Sequence, residues 1–448
     1  MSKPRMLVAL LLIAVAPSAA PGQLLGGPIG GLAQPITGTV GQVGTSVGQT
    51  VDGVANTLLT PQDQAQIVAP SLDRITTSLA FAQSTADQLV QLRKLRLDAL
   101  IRASRGALDR DDEGRPVRKG ELIVANPDPV ALSAAVRAGF RILVDEAASD
   151  LGLRMVTISV PQGVRMRQAL KALRKAAPGL EADYNHVYEP AGGSLVSAPA
   201  ATLASAPPAR SGTRIAMIDG GVASHASLAR ASIEQRGFAG APQPTGHGTA
   251  IASLLVGEQG SFRGAARGAQ LFVGDVYGGN PASGSATTIV KALAWAASKN
   301  PAVINISLVG PSNRMMARAV SALRARGVAI VAAVGNDGPA APAQYPASYP
   351  GVIAVTGVDA GDRALREAGR AAHLDFAAPG ADLVAALPGN GFASVRGTSF
   401  AAPFVAARLA ATESPAALEM EAVPGKGKVG RGIVCRSCRV APKMVGLR

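Results

Sequence analysis

The chain has 448 residues, more than one ordinary hydrophobic core, and a prior of roughly 150 residues per domain gives two or three folded units with linkers. With 48% hydrophobic residues, 51 glycines, 31 prolines and only 3% aromatics, its interior is filled mainly by Ala, Val, Leu and Ile. The formal charge of +14 does not mark a nucleic-acid partner: six basic side chains sit in the acid-free stretch 427–448, no nucleic-acid motif occurs, and stacking aromatics are scarce.

The chain opens MSKPRMLVALLLIAVAPSAAPGQ, with two early cations, an apolar run over 6–16 and small residues over 18–22. This predicts a secretory signal over 1–22, cut after Ala20 or Gly22, and too short to span a bilayer. No later run reaches about 18 apolar residues, so no stable membrane span is expected, and the mature protein is placed in the periplasm, the cell envelope or outside the cell.

Residues 23–60 form a loose glycine-rich near-repeat, which disfavours helix and weakens strand. The G-T-S-V-G within it, at 44–48, lacks the strand and helix that a nucleophile elbow requires. Over 61–105, Leu72, Ile75, Leu79, Ala82, Ala86 and Leu89 step by three and four, placing one apolar stripe on a helix running to about Ala103. Arg93, Lys94, Arg96 and Arg102 suit the negative pole of that helix.

After the charged break DRDDEGRPVRKG, residues 116–190 read strand, helix, strand, strand, helix, strand, a small ferredoxin-like unit ending in ADYNHVYE. Residues 191–212 carry small residues and prolines with no charge except Arg210, a linker open to cutting. Over 213–434 apolar strands at 214–218, 270–276, 303–307, 328–334 and 352–358 alternate with helical patterns at 286–298 and 313–326. That alternation predicts an α/β fold, a mostly parallel sheet with helices on both faces. The cysteines, Cys435 and Cys438, predict a local disulfide rather than zinc, since further ligands are missing nearby, and 435–448 reads as a solvated basic tail. The G-x-G-x-x-G at Gly425, Gly427 and Gly430 has no strand-to-helix context, so no nucleotide cofactor is expected.

Three segments put reactive side chains where parallel strands end. Asp219 follows the strand IAMI; His247 sits in TGHGTAIASLLVG, where a glycine turn enters an apolar helix; Ser399 opens the last helix, in RGTSFAAPFVAA. A serine hydroxyl needs an imidazole to take its proton, and the imidazole needs a carboxylate to fix its tautomer. A serine at a helix start also aims its own amide at a developing oxyanion. Pro403 reads as tolerated in the first turn, whose amides have no partners within the helix. Asn336, in VAAVGNDGP, follows a strand and is placed to donate to the same oxyanion. Of the other histidines, His225 is assigned to a loop and His186 and His373 to structural or surface positions. Asp275 is assigned a structural role, and Asp337 a place at the rim of a specificity pocket, favouring basic side chains.

These segments resemble the subtilisin-like serine peptidases, the subtilase family. The resemblance rests on the order Asp219, His247, Ser399 and on GHGT, GTSFAAPFVAA, AAVGN and INISLVGP, and it spans 213 to about 411. It implies a subtilisin-like domain and a secreted endopeptidase acting on polypeptide substrates without a cofactor. Ser307, Leu308, Val309 and Gly310 would bind substrate as an added strand. The unit at 116–190 resembles the family's inhibitory propeptide, which implies self-cleavage between Tyr188 and about Arg210 and an intramolecular inhibitor as partner. Two features depart from the pattern: Gly220 stands where the family usually has Ser or Thr, and the domain is short. They would suit a catalytically silent binding protein, while the glycine-rich start would suit an envelope-associated structural protein. No acidic cluster specifies the family's calcium sites, so no metal is assigned.

Overall fold

The computed structural model describes residues 85–191, 194–196, 209, 212–389 and 391–442. The signal, the glycine-rich repeat and the first part of the helical stripe, Leu72 to Ala82, lie outside the described residues.

The first helix, α1 (Ala86–Ala103), starts at a capping box in which Thr85 and Gln88 satisfy each other's backbone amides. It leads into strand β1 (Leu108–Arg110), which pairs antiparallel with β2 (Pro116–Ala125). The segment read from sequence as a charged break is therefore a hairpin. Its charges serve the turn: Asp111 accepts hydrogen bonds from the backbone amides of Glu113 and Arg115, both at 2.8 Å.

From β2 the chain continues through α2 (Pro129–Arg137), β3 (Arg141–Ala148), β4 (Leu153–Ser159), α3 (Met166–Ala176) and β5 (Ala182–His186), the expected βαββαβ order. β2 lies between β4 and β5, all antiparallel. Strand alternation decides how this sheet is used. Leu122 and Val124 face a core with α2 and α3, while Ile123 and Ala125 face the second domain, sharing a cluster with Trp295, Met316 and Leu323.

Beyond β5 come two short strands, β6 (Glu189–Pro190) and β7 (Ser194–Val196). β7 falls inside the stretch read as a plain linker. The second domain then runs β8 (Arg214–Asp219), β9 (Ser232–Gly237), α4 (Gly246–Val256), β10 (Gln270–Asp275), α5 (Ala286–Ser298), β11 (Val303–Ile306), β12 (Leu308–Val309), α6 (Arg314–Ala325), β13 (Ala329–Ala333), β14 (Ile353–Val358), β15 (Phe376–Pro379), β16 (Leu383–Leu387), β17 (Gly391–Arg396), α7 (Thr398–Thr412) and α8 (Pro415–Glu421).

Seven of these strands form one sheet in the order β15-β14-β13-β11-β8-β10-β9, every pair parallel. Ile215 and Met217 of β8 face α4 and α7, whereas Ala216 and Ile218 face α5 and α6, so helices cover both faces. The edge strands β9 and β15 escaped the sequence reading. Four of the six β9 residues are exposed, so it lacks the continuous apolar run by which the inner strands are recognised.

The carboxyl-terminal segment departs from expectation. Cys435 and Cys438 form the expected disulfide, but they are buried with Val440 in the core beside α7, and the Val384 amide donates to the Val440 carbonyl at 2.8 Å. Residues 435–442 thus pack into the domain rather than trailing as a solvated tail; 443–448 lie outside the described residues.

Candidate active site

Asp219, Ser307 and Asn336 lie at or just beyond the carboxyl ends of neighbouring parallel strands, β8, β11 and β13. In an open parallel sheet this rim is where reactive groups collect. α4 and α7 start at the same rim and pack against each other, one bringing His247 in its first turn and the other Ser399.

Asp219 is almost wholly buried, and His247 Nδ1 lies 2.9 Å from both of its carboxylate oxygens. A carboxylate can only accept, so Nδ1 carries the proton and Nε2 is the basic nitrogen. The Gly220 amide donates to Asp219 Oδ1 at 2.7 Å. On the other side, the His247 ring centroid lies 5.5 Å from that of Phe400, the residue after Ser399.

Gly220 and Gly221 explain the unusual Gly-Gly. A Cβ at residue 220 would lie 2.4 Å from Thr245 Oγ1, and one at residue 221 would lie 2.4 Å from the Gln243 carbonyl oxygen. The volume that a serine or threonine would occupy beside Asp219 is filled by Thr245. Thr245 is also the N-cap of α4, accepting from the Gly248 amide at 2.9 Å. A Thr directly before the Gly246 that opens the helix is a visible N-cap signal, and sequence reasoning passed over it.

Ser399 is fully buried at the second position of α7, after Gly397, whose φ of 147° few other residues adopt. Pro403 is not in the first turn as expected. It is the sixth residue of the helix, where an amide would donate to the Ser399 carbonyl. Ser307 supplies the missing donor: its hydroxyl lies 3.0 Å from the Ser399 carbonyl oxygen and itself accepts from Asn305 Nδ2 at 3.0 Å.

Asn336 is buried behind the left-handed Gly335, and its Oδ1 accepts from the Thr398 amide at 2.9 Å. That contact fixes which way the side-chain amide points, and Nδ2 donates to the carbonyl of Ala191. The Ala191 amide in turn donates to the Ser307 carbonyl at 2.8 Å. Upstream, Glu189 and Pro190 pair antiparallel with Val309 and Leu308; downstream, Ser194 and Val196 pair antiparallel with Arg396 and Ser394 of β17. The chain thus enters the cleft along β12 and leaves along β17, with Ala191 between.

The Tyr188 side chain is fully buried against Gly310, where a Cβ would lie 2.4 Å from the ring, and its hydroxyl donates to the Pro311 carbonyl at 2.8 Å. The Tyr277 hydroxyl donates to the Tyr188 carbonyl at 3.2 Å. Burial pushes both phenols well above their ordinary range, so both remain hydrogen-bond donors at any physiological pH. The Gly310 amide and carbonyl are taken by Tyr345, which leaves Leu308 and Val309 as the pairing residues of the expected binding edge.

The remaining candidates have structural partners. Asp275 accepts from the amides of Gln243, Tyr277 and Gly278. His225 bonds Ser227 and the Gly391 carbonyl, and His373 donates to the Val352 carbonyl. His186 lies 3.2 Å from both Asp111 and Asn313. Asp337 is occupied by Arg93 and Arg96 of α1. Among the described residues no cluster of His, Cys, Asp and Glu is placed to hold a metal ion.

A family-wide sequence model described as the subtilase family matches residues 210–423. Subtilisin Savinase of Lederbergia lenta is 35% identical over 206 residues, an alignment covering 44% of this chain and 74% of that protein. The chain belongs to the subtilase family. This subtilase is also 35% identical over 206 residues to an alkaline protease of Alkalihalobacillus alcalophilus, 52% of whose length it covers. Its fold is similar to that of fervidolysin from Fervidobacterium pennivorans, described as a keratinolytic enzyme related to subtilisin. That likeness has a TM-score of 0.61 at 19% identity and covers 72% of this chain and 60% of that one. This subtilase is accordingly a serine-type endopeptidase, and polypeptides are its substrate class. No helix among the described residues is long and apolar enough to cross a membrane.

Proposed function

We propose that this subtilase is exported as a precursor and cuts its own chain after Ala191, with 116–190 acting as a propeptide that inhibits the peptidase domain until it leaves. The observation that carries the reading is the double hold on Ala191: its amide donates to the Ser307 carbonyl and its own carbonyl accepts from Asn336 Nδ2. A residue gripped at both ends of its backbone, in an added antiparallel strand, is in the pose of a substrate presenting its carbonyl carbon.

The chemistry follows from the groups around it. Ser399 Oγ attacks the Ala191 carbonyl carbon as His247 Nε2 takes the hydroxyl proton, and Asp219 steadies the resulting imidazolium through Nδ1–H. The negative oxygen of the tetrahedral intermediate is stabilised by the Asn336 amide and the Ser399 backbone amide. On collapse the bond after Ala191 breaks and His247 returns its proton to the leaving amine. An ester joins Ala191 to Ser399; water, deprotonated by His247, then hydrolyses it, freeing the Ala191 carboxylate and the serine hydroxyl. Mature enzyme would take outside polypeptides along the same edge at Leu308 and Val309, with Gly310 walling the pocket that holds Tyr188.

The apolar run at 6–16 is assigned to export, and 116–190 to inhibition and assisted folding. Docking in the inhibitor pose is supported by Asn313 Nδ2 donating to the Tyr184 carbonyl at 2.9 Å and by the Arg314 amide, at the start of α6, donating to Asp183 at 2.9 Å. The test expresses the native chain and a Ser399→Ala form side by side and sequences the amino terminus of each shortened product. A new terminus at Gly192 in the native chain alone is expected. Equal shortening of both forms, or a terminus elsewhere, overturns the reading.

A further inference from the structure

Helix α1 precedes the βαββαβ unit and takes no part in its sheet, yet one face of it lies over the cleft. Leu89, Arg93, Arg96 and Leu97 fall at spacings of four, three and one, a single helical face. Leu89 is 2% exposed and presses on Gly338, where any side chain would collide with it at 2.7 Å. Arg93 Nε lies 3.0 Å from Asp337, the neighbour of Asn336. Arg96 does more, reaching Asp337 Oδ1 at 2.8 Å and both carboxylate oxygens of Glu189 at 3.1 and 3.3 Å. Below it, Leu100 and Ile101 pack against Leu108, Val187 and Ala282.

Arg96 therefore ties two acids that belong to opposite partners. Asp337 is part of the peptidase wall, one residue past Asn336, and Glu189 is part of the strand lying in the cleft, two residues before Ala191. Without a cation between them these two carboxylates would repel at close range, and their side chains are only 5% and 14% exposed, so water screens little of that repulsion. A planar guanidinium is the group that can bond both at once.

We propose that α1 is a second inhibitory clasp, distinct from the βαββαβ unit, which holds the severed end at Ala191 in the cleft through the Arg96 bridge and the Leu89 contact and so delays the onset of activity after self-cutting. This rests on the reading that the chain is cut after Ala191. Strand pairing at β6 binds the end by its backbone and the Tyr188 pocket adds one side chain; the Arg96 bridge makes release depend on Glu189 as well. The clasp divides maturation into a cutting step, which it does not touch, and a release step, which it slows.

The test uses the full chain in three forms, native, Arg96→Gln and Leu89→Ala, following cutting by gel and activity on an added peptide substrate in the same samples. Both variants are expected to be cut at the native rate while activity on the added peptide appears about tenfold sooner. Cutting at the native rate with an unchanged lag in both variants overturns the clasp. Should Arg96→Gln fail to fold, Leu89→Ala decides by the same criterion. Should the native chain remain uncut, the self-cutting reading fails instead. The clasp is then read from hydrogen exchange of the Glu189 and Ala191 amides in a Ser399→Ala background. Faster exchange in the variants upholds it, and unchanged exchange overturns it.

Discussion

The hydroxyl of Ser307 donates to the main-chain oxygen of Ser399, taking the place of the helix amide that Pro403 lacks. The same residue offers its own carbonyl to the Ala191 amide, so one short segment both holds the Ala191 backbone and steadies the turn that carries Ser399. Ser307→Ala keeps the first of these and removes the second. It removes a hydrogen bond in a buried site, and a loss of about 0.5–1.5 kcal/mol in unfolding free energy is expected. Because substrate pairing is retained, kcat should fall while KM stays within about twofold. An unchanged denaturation midpoint would show that another donor serves Ser399.

Asn336 has its orientation fixed by Thr398 and its donor on Ala191. Asn336→Ala should slow self-cutting by about 10² to 10³, the known cost of removing one oxyanion donor in subtilisin. Asn336→Asp should be no better, since a carboxylate cannot donate and repels the oxyanion. Single-turnover cutting rates measured by gel distinguish these outcomes from a simple loss of folding.

Gly220 cannot take the serine or threonine usual in its family while Thr245 stands beside it. Gly220→Ser should destabilise by about 1–3 kcal/mol through overpacking and displace the Asp219 loop. Native-like thermal stability in this variant would mean that Thr245 yields its space easily.

The Tyr188 hydroxyl reaches Pro311, and its ring lies where a residue 310 side chain would stand. Tyr188→Phe should weaken retention of the propeptide by about 0.5–1.5 kcal/mol, the net worth of one hydrogen bond. Gly310→Val should be far more severe because the ring has nowhere to go. Among short peptides, those with tyrosine as the fourth residue before the cut, the place of Tyr188, should be preferred to those with alanine there, read as kcat/KM.

Asp111 ties the first hairpin to His186. Burial alone would raise its carboxyl, but hydrogen bonds from His186 and from Arg115 outweigh that and bring it from 3.8 down to about 2. A carboxyl lowered on folding stabilises the folded state above its unfolded value and loses that contribution as acid protonates it. The precursor should therefore lose stability as pH falls from 3.8 to about 2, and Asp111→Asn should flatten the curve over that window. Urea midpoints of the Ser399→Ala precursor across pH 5 to 2 test this, and parallel curves for the two proteins would contradict it.

The inner strands were legible because a parallel strand covered on both faces is a continuous apolar run; Val303–Ile306 and Ala329–Ala333 are of this kind. The α5 boundaries, Ala286–Ser298, came out as read, Ser285 being an ordinary N-cap. What escaped were features set by distant partners. β7 takes its strand form from β17, far along the chain, and nothing local in Ser194–Val196 announces it. Pro403 was misplaced by a turn because a helix start preceded by Gly397 has no side-chain cap to mark it. The candidate site residues stand in recognisable local motifs, but the Ala191 carbonyl, a backbone atom of a small residue, leaves no trace in sequence. Asp337, read from sequence as the rim of a specificity pocket favouring basic side chains, has Arg93 and Arg96 of its own chain as partners.

β17 is sandwiched between β16 and β7, so before the chain is severed both of its edges are paired. If the peptide link after Ala191 is cut as proposed, β7 is no longer joined through it to the strand in the cleft, and were β7 to leave, one side of β17 would lose its hydrogen-bonding mate. A raw strand edge is sticky toward any extended polypeptide. On the proposed scheme maturation would bare an edge able to pair with an extended polypeptide, an edge that β7 covers while the chain is in one piece.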